Sequence, residues 1–122
     1  MAEQRPSIVI LDKDSVTLEL YRRELASEYS VITCETVDEV QNLLQKQKFD
    51  ILILEPVGLG EKGWDLFDKI QTVSSGASIP IVICSTKSIS RSILQRGAAT
   101  YLVKPVIPTD LHAAIRQVLS QA

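Results

Sequence analysis

Residues 51–54 read ILIL, and three similar aliphatic runs occur along the chain: IVIL at 8–11, IVIC at 81–84 and YLV at 101–103. None of these runs alternates with polar residues, which is typical of strands in a parallel sheet that is covered on both faces. The segment YSVITC at 29–34 predicts a weaker fifth strand. The runs therefore predict a five-stranded parallel sheet.

Five amphipathic helices are predicted between and after these strands, because apolar side chains recur there every three or four residues. Their ranges are 15–27, 37–47, 64–73, 88–96 and 110–119. Thr36 and Glu39 form a capping-box pattern, and Thr109 after Pro108 is expected to cap the last helix. Strand and helix alternate five times, so the sequence predicts an α/β fold, a doubly wound sheet with helices on both faces. The inward-facing helix positions are Leu18, Tyr21, Leu25, Val37, Val40, Leu44, Leu66, Ile70, Val73, Ile89, Ile93, Leu111, Ile115 and Val118.

Composition and length limit the class of protein. The 122 residues, with 45% hydrophobic and 23% charged side chains, suit a single domain spanning residues 1–122. A formal net charge of −2 gives no sign of nucleic-acid binding. The apolar runs are too short to span a membrane, and the segment MAEQRPS lacks the apolar core of a secretion signal. We expect a cytoplasmic domain in which Cys34 and Cys84 are reduced thiols, and in which Cys84 is buried and inert.

Charged and polar residues follow the predicted strands at their carboxyl ends. Ligand sites of doubly wound folds lie in the crevice outside this edge, where the strand order reverses. Acids follow the first and third strands, a hydroxyl ends the fourth, and a lysine ends the fifth, so these groups should converge. Pro105 restricts the backbone beside that lysine. The residues at this edge are Asp12, Lys13, Asp14, Glu55, Cys84, Ser85, Thr86 and Lys104.

Four segments resemble the receiver domain of two-component response regulators, in particular chemotaxis-regulator-like receivers. They are LDKDS at 11–15, FDILILE at 49–55, IPIVICST at 79–86 and GAATYLVKP at 97–105. The resemblance covers nearly the whole chain, and the last segment is its most specific part. It implies a flavodoxin-like fold with strand order 2-1-3-4-5.

The resemblance implies a site for phosphoryl transfer in a phosphorelay. Members of the family accept a phosphoryl group on an aspartate at the end of the third strand, with a magnesium ion held by that aspartate and by acids after the first strand. In this chain the phosphoacceptor position holds Glu55, and a metal-ligand position holds Lys13. Asp12 matches the family pattern, as do the phosphate-contact positions Ser85 and Lys104.

These departures change the charge of the expected pocket. A typical receiver site has three carboxylates and one lysine, which suit a divalent cation. Here Asp12 and Glu55 are balanced by Lys13 and Lys104, so the four groups sum to zero. We expect weak or absent Mg²⁺ binding, because a lysine beside the metal position repels the ion. We also expect no resident cofactor and no enzymatic activity. Asp14, the third residue of the acidic-pocket segment, could restore one negative charge, but its expected role is to cap the first helix.

The hypothesis for function is a degenerate pseudo-receiver that acts as a phosphorylation-independent protein-interaction module. Glu55, one methylene longer than aspartate, either imitates the phosphorylated state or pairs with lysine and fixes an inactive-like conformation. The alternative is a receiver that is still phosphorylated under the control of a histidine kinase. The expected partner is a signalling protein, either a histidine kinase or an output domain.

The resemblance also implies a switch and an output surface. Ser85 and Tyr101 occupy the positions that move together on activation in the family. The surface formed by the fourth predicted helix, the fifth strand and the fifth predicted helix is then the face for a partner or a homodimer. The charged side chains on it would be Lys87, Arg91, Arg96, Asp110 and Arg116.

A remote alternative is a dinucleotide-binding enzyme fragment, because Gly58, Gly60 and Gly63 have the G-x-G-x-x-G spacing. The motif follows the third strand and not the first, and Glu55 would place a negative charge near a pyrophosphate. The simpler interpretation is a loop that needs positive φ or close backbone approach. His112 and Trp64 are expected to be structural.

Overall fold

The computed structural model describes residues 5–72, 79–86 and 94–121. In the described part of residues 5–86 strands and helices alternate as predicted, with a short 3-10 turn at Val57–Leu59 after the third strand. The strands are β1 (Ser7–Leu11), β2 (Ser30–Cys34), β3 (Ile51–Leu54), β4 (Ile81–Ser85) and β5 (Thr100–Val103). The helices are α1 (Ser15–Leu25), α2 (Val37–Lys46), α3 (Glu61–Thr72) and α4 (Pro108–Ser120). In these ranges, none of the helices has the length and apolar character needed to cross a bilayer.

The five strands form one parallel sheet in the order β2-β1-β3-β4-β5, which confirms the predicted topology. The register aligns the carboxyl ends of the strands. Leu11 pairs with both Cys34 and Leu54, and Ser85 pairs with Val103. Each residue that follows one of these positions therefore lies at the same edge of the sheet.

Two apolar layers explain why the strand sequences do not alternate with polar residues. Successive side chains of a strand point to opposite faces, and both faces of this sheet are covered. Ile8 and Ile10 belong to the cluster beneath α1 and α4, whereas Val9 and Leu11 belong to the cluster beneath α2 and α3. All four side chains are fully buried.

Two of the three predicted helix N-caps, Asp14 and Thr36, are present in the structure. The predicted capping box is present, since the Glu39 amide donates to the Thr36 hydroxyl at 3.2 Å and the Thr36 amide donates to the Glu39 carboxylate at 3.1 Å. Asp14 caps α1 through the Val16 amide. The prediction of Thr109 as a cap is wrong.

Helix α4 begins one residue before Thr109, with Pro108 in its first turn and Ile107 as its N-cap. No side chain caps this end. Proline fits the first helical position because it has no N–H to satisfy there and its φ is preset for a helix.

The helix predicted over 88–96, with its inward positions Ile89 and Ile93, lies almost wholly outside the described residues. Val73, an inward position of the third predicted helix, lies outside them as well.

The glycine-rich segment before α3 is explained by packing. Helix α3 begins at Glu61, three residues earlier than predicted, so Gly63 lies in its first turn. A Cβ on Gly63 would come within 2.7 Å of the Pro56 carbonyl oxygen. Gly60 has a φ of 69°, which disfavours other residues. The loop interpretation of the glycine pattern therefore has a direct structural basis.

Replacing Gly63 by alanine is expected to destabilise the domain by about 1–3 kcal/mol, because the new methyl group would displace the Pro56 backbone. Gly58→Ala is the matched control, since its Cβ would meet Lys13 Cβ at an ordinary 3.7 Å and should change stability by less than about 0.5 kcal/mol. Urea unfolding of both variants measures the difference. Equal effects would contradict the packing account.

Candidate functional site

Backbone hydrogen bonds continue the sheet by one residue at its carboxyl edge. The Glu55 amide donates to the Leu11 carbonyl at 3.0 Å, and the Lys104 amide donates to the Ser85 carbonyl at 2.7 Å. The Asp12 amide donates to the Cys34 carbonyl at 3.2 Å. These bonds fix where the three charged side chains leave the backbone, so the sheet itself positions the site.

Three of the predicted site residues form a buried ion-pair cluster at this edge, which we call the Lys104 cluster: Asp12, Glu55 and Lys104. The Lys104 Nζ lies 2.5 Å from Asp12 Oδ2 and 3.5 Å from Glu55 Oε1. Asp12 and Glu55 are only 3% and 5% exposed, and the Lys104 side chain is 13% exposed. One ammonium group thus bridges two carboxylates that are almost fully removed from water.

The remaining oxygens of both carboxylates are held by backbone amides. Asp12 Oδ1 accepts from the Asp14 amide at 2.8 Å, and Glu55 Oε2 accepts from the Val57 amide at 2.9 Å. Each acid therefore shapes the loop that follows its own strand. All four carboxylate oxygens have a hydrogen-bond or ion-pair partner.

The charge state of Lys104 follows from two opposing effects. Burial alone would lower its pKa, because desolvation disfavours the charged form. The hydrogen bond to Asp12 and the negative charges of Asp12 and Glu55 outweigh burial, and the net pKa lies above the ordinary value. The lysine is accordingly charged at neutral pH.

Lys13 lies apart from this cluster, which corrects the charge count made from the sequence. Its side chain is exposed and lines an open pocket of about 300 Å³ together with Lys62, Glu35 and Asp38. In the described parts of the chain it forms no ion pair with Asp12 or Glu55. The Lys104 cluster therefore carries a net charge of −1 and not zero.

Asp14 is exposed and takes the capping role expected of it. The Thr17 hydroxyl donates to its carboxylate at 2.8 Å, and the Val16 amide donates at 3.2 Å. These bonds, the hydroxyl first, hold the pKa of Asp14 below its usual value. The carboxylate is thereby directed toward the start of α1.

The predicted switch residues lie on the neighbouring strands β4 and β5. Ser85 is fully buried as the last residue of β4, and Tyr101 is half-buried in β5 against the α2–α3 side of the core. Their coordinated movement stays a prediction.

Cys84 beside Ser85 is buried, and burial raises its pKa to about 12. A neutral thiol of this kind is a poor nucleophile.

Two contacts were not predicted from the sequence. His112 on α4 faces Glu24 and Glu28, with nitrogen–oxygen distances of 3.7 and 3.6 Å. Arg96 was expected on a basic output face, but its guanidinium pairs with Asp68 on α3 at 2.7 Å. Both contacts join elements far apart in the chain, and no sequence motif marks them. Lys87 and Arg91, from the same predicted face, lie outside the described residues.

The fold agrees with the comparison to known families. The family model described as response regulator receiver domain matches residues 8–116. The chain belongs to this family and is a receiver domain of the two-component response regulator class.

Curated and solved relatives support the assignment. The alginate biosynthesis transcriptional regulatory protein AlgB of Pseudomonas aeruginosa is 33% identical over 116 residues, which cover 93% of this chain and 26% of AlgB. The transcriptional regulatory protein GlrR of Escherichia coli is 31% identical over 125 residues, covering 100% of this chain and 28% of GlrR. The chain thus spans about a quarter of the length of these relatives.

A crystal structure of a two-component response regulator from Clostridium difficile has the same fold. Its TM-score is 0.83 at 26% sequence identity, and the match covers 96% of this chain and 98% of that one. The receiver-type sheet with order 2-1-3-4-5 is therefore shared across the matched length.

Lys104→Met is expected to destabilise the domain by about 3 kcal/mol, because it leaves two buried carboxylates without a counter-charge. Lys13→Met removes the same charge at an exposed site and should change the unfolding free energy by less than about 0.5 kcal/mol. Urea unfolding at neutral pH compares the two. Adding Asp12→Asn to Lys104→Met should recover part of the loss. Equal destabilisation by both lysine substitutions would contradict the ion-pair account.

Proposed function

We propose that this receiver domain signals as a protein-interaction module, without magnesium-dependent phosphorylation of an aspartate. The observation that carries the proposal is the pairing of Lys104 with both Asp12 and Glu55. Glu55 follows β3 directly, where the resemblance to receivers implies the phosphoacceptor position. In this chain that position is occupied by the wrong acid for aspartyl chemistry, and this acid is already paired with a lysine.

The donors at this edge do not fit a resident Mg²⁺ ion. Magnesium demands near-octahedral oxygen coordination and usually takes one or two carboxylates with phosphate oxygens and water. Here the oxygens of Asp12 and Glu55 are engaged by Lys104 and by the amides of Asp14 and Val57. A metal would have to displace an ammonium group that already supplies positive charge. We propose that the domain works without a metal or another cofactor.

The geometry also disfavours Glu55 as a phosphoryl acceptor. Phosphoryl transfer depends on in-line positioning and on neutralisation of the phosphoryl oxygens. One oxygen of Glu55 accepts from the Val57 amide and the other faces Lys104. Each contact withdraws electron density from the oxygen that would attack, which makes that oxygen a weaker nucleophile. We therefore propose that Glu55 fixes a single conformation of the β3–α3 loop.

The expected partner is another signalling protein. AlgB and GlrR are named as transcriptional regulatory proteins, and this chain matches only about a quarter of each. We propose that the 122-residue receiver acts in the cytoplasm on an output domain or a histidine kinase. The net charge of −2 argues against direct nucleic-acid binding by this domain.

A phosphorylatable receiver under histidine kinase control is the second candidate function. It is favoured by the family match together with the retained Asp12, Ser85 and Lys104. The dinucleotide-binding alternative loses support, because the close packing of Gly63 on Pro56 and the positive φ of Gly60 account for two of the three glycines.

Treatment with acetyl phosphate and Mg²⁺ separates the two candidates. We expect no mass increase for the wild-type chain and a Mg²⁺-dependent increase for Glu55→Asp combined with Lys13→Asp. Intact-protein mass spectrometry is the measurement, and beryllofluoride binding followed by NMR gives a second readout. The double variant without Mg²⁺ is the negative control.

The single variants Glu55→Asp and Lys13→Asp show how much each position contributes to Mg²⁺-dependent phosphorylation. Because Lys13 is exposed and lies outside the Lys104 cluster, Glu55→Asp alone should gain more modification than Lys13→Asp alone. Stoichiometric phosphorylation of Glu55 in the wild-type chain would overturn the proposal.

A further inference from the structure

The edge strand β5 is held at both of its ends by charged side chains. In the described sheet it pairs with β4 alone. Lys104 follows the strand and binds Asp12 and Glu55. Arg96 precedes the strand and binds α3. An edge strand of four residues with one neighbour depends on such contacts more than a central strand does.

The contact between Arg96 and α3 combines three interactions, and we call it the Arg96 clamp. The guanidinium pairs with Asp68 at 2.7 Å. It also lies over the rings of Trp64 and Phe67, at 5.1 and 5.5 Å from their centroids, which is within cation–π range. Trp64 and Phe67 themselves meet edge to face at 6.0 Å. The clamp therefore has more than the single contact of an ordinary surface ion pair.

A further hydrogen bond supports the clamp. Gln71, one turn beyond Asp68 on α3, donates from its side-chain amide to the Gly97 carbonyl at 3.3 Å. Arg96 and the next residue are thus both attached to α3. Three residues after this attachment the chain enters β5 at Thr100.

Helix α3 connects the clamp to Glu55 by a second route. Glu55 accepts from the Val57 amide, and the turn that follows is packed under the first turn of α3, where Gly63 meets Pro56. Trp64 is the next residue. The Lys104 cluster and the Arg96 clamp therefore share two elements, β5 on one side and the start of α3 on the other.

We propose that the Arg96 clamp is a conformational device coupled to the charge of Glu55 through β5 and the start of α3. When the Glu55–Lys104 attraction is weakened, β5 and the β3–α3 turn lose one of their shared constraints, and Arg96 binds α3 less tightly. A change at the buried site thereby alters the surface formed by the half-buried Trp64 and the exposed Asp68 and Arg96. This coupling goes beyond the proposed function and does not depend on whether the domain can be phosphorylated.

A double-mutant cycle between Glu55→Gln and Arg96→Ala tests the coupling in the full 122-residue chain. Glutamine keeps the size of Glu55 and can still accept from the Val57 amide, so this variant preserves more of the site than removal of Lys104. We expect the effect of Arg96→Ala on the unfolding equilibrium constant to be at least about threefold smaller in the Glu55→Gln background. Additivity within about twofold would overturn the proposal.

Arg22→Ala supplies the matched control for the cycle. Arg22 pairs with Glu19 on α1, and its side chain is 45% exposed, against 43% for Arg96. It shares no partner with the Lys104 cluster, so its effect should be the same in the wild-type and Glu55→Gln backgrounds. Equal coupling energies for Arg22 and Arg96 would show that Glu55→Gln acts on the whole fold, and this result also overturns the proposal.

Fluorescence of Trp64 gives an independent local readout, because it is the single tryptophan of the chain. Glu55→Gln should increase acrylamide quenching of Trp64 in the wild-type background and have a smaller effect when Arg96 is already alanine. Arg96→Lys should behave like Arg96→Ala in part, since lysine keeps the charge but loses the planar guanidinium. Unchanged quenching in folded Glu55→Gln would contradict the coupling.

Discussion

The contact between one lysine and two buried carboxylates is the constraint on which the carboxyl edge of this sheet depends. Asp12 and Glu55 come from adjacent strands and would repel each other in a pocket with little water. Lys104 lies between them at 2.5 and 3.5 Å, and it comes from the far edge strand. The same residue therefore offsets one of the two negative charges at the centre of the sheet and fixes the end of β5.

The energetics of buried ion pairs explain how this cluster constrains the site. A buried ion pair recovers little net stability over an apolar alternative, yet loss of one partner is costly because a buried charge is left behind. The cluster therefore acts mainly by making other arrangements unfavourable. With a net charge of −1 and every carboxylate oxygen engaged, it leaves weaker attraction for a divalent cation than three free carboxylates would.

The sequence predicts much of this arrangement because the relevant signals are local or follow from topology. Aliphatic runs such as ILIL at 51–54 identify strands that are covered on both faces. Once the strands are parallel and in the receiver order, Asp12, Glu55 and Lys104 must lie at one edge. The capping box of Thr36 and Glu39 is likewise a pattern within four residues.

The features that sequence reasoning missed depend on side-chain direction and tertiary packing. The side chain of Lys13 could point into the cluster or into the pocket that it lines with Lys62. Its rotamer and the adjacent loop decide between the two, and its position in the sequence predicts neither. The sequence allows α4 to begin after Thr109 as N-cap or at Pro108 as first helical residue. The structure has the second start. The partner of Arg96 lies 28 residues away on another element. No local periodicity reports such a contact.

The most direct test of the central claim is an NMR titration of the wild-type chain with Mg²⁺, observing the Lys104 ammonium group and the amides of Asp12 and Glu55. Glu55→Asp combined with Lys13→Asp serves as the comparison that should bind the ion. The account predicts that the wild-type signals stay in place at millimolar Mg²⁺ while those of the double variant shift. Saturable shifts of Lys104, Asp12 and Glu55 in the wild-type chain would contradict it.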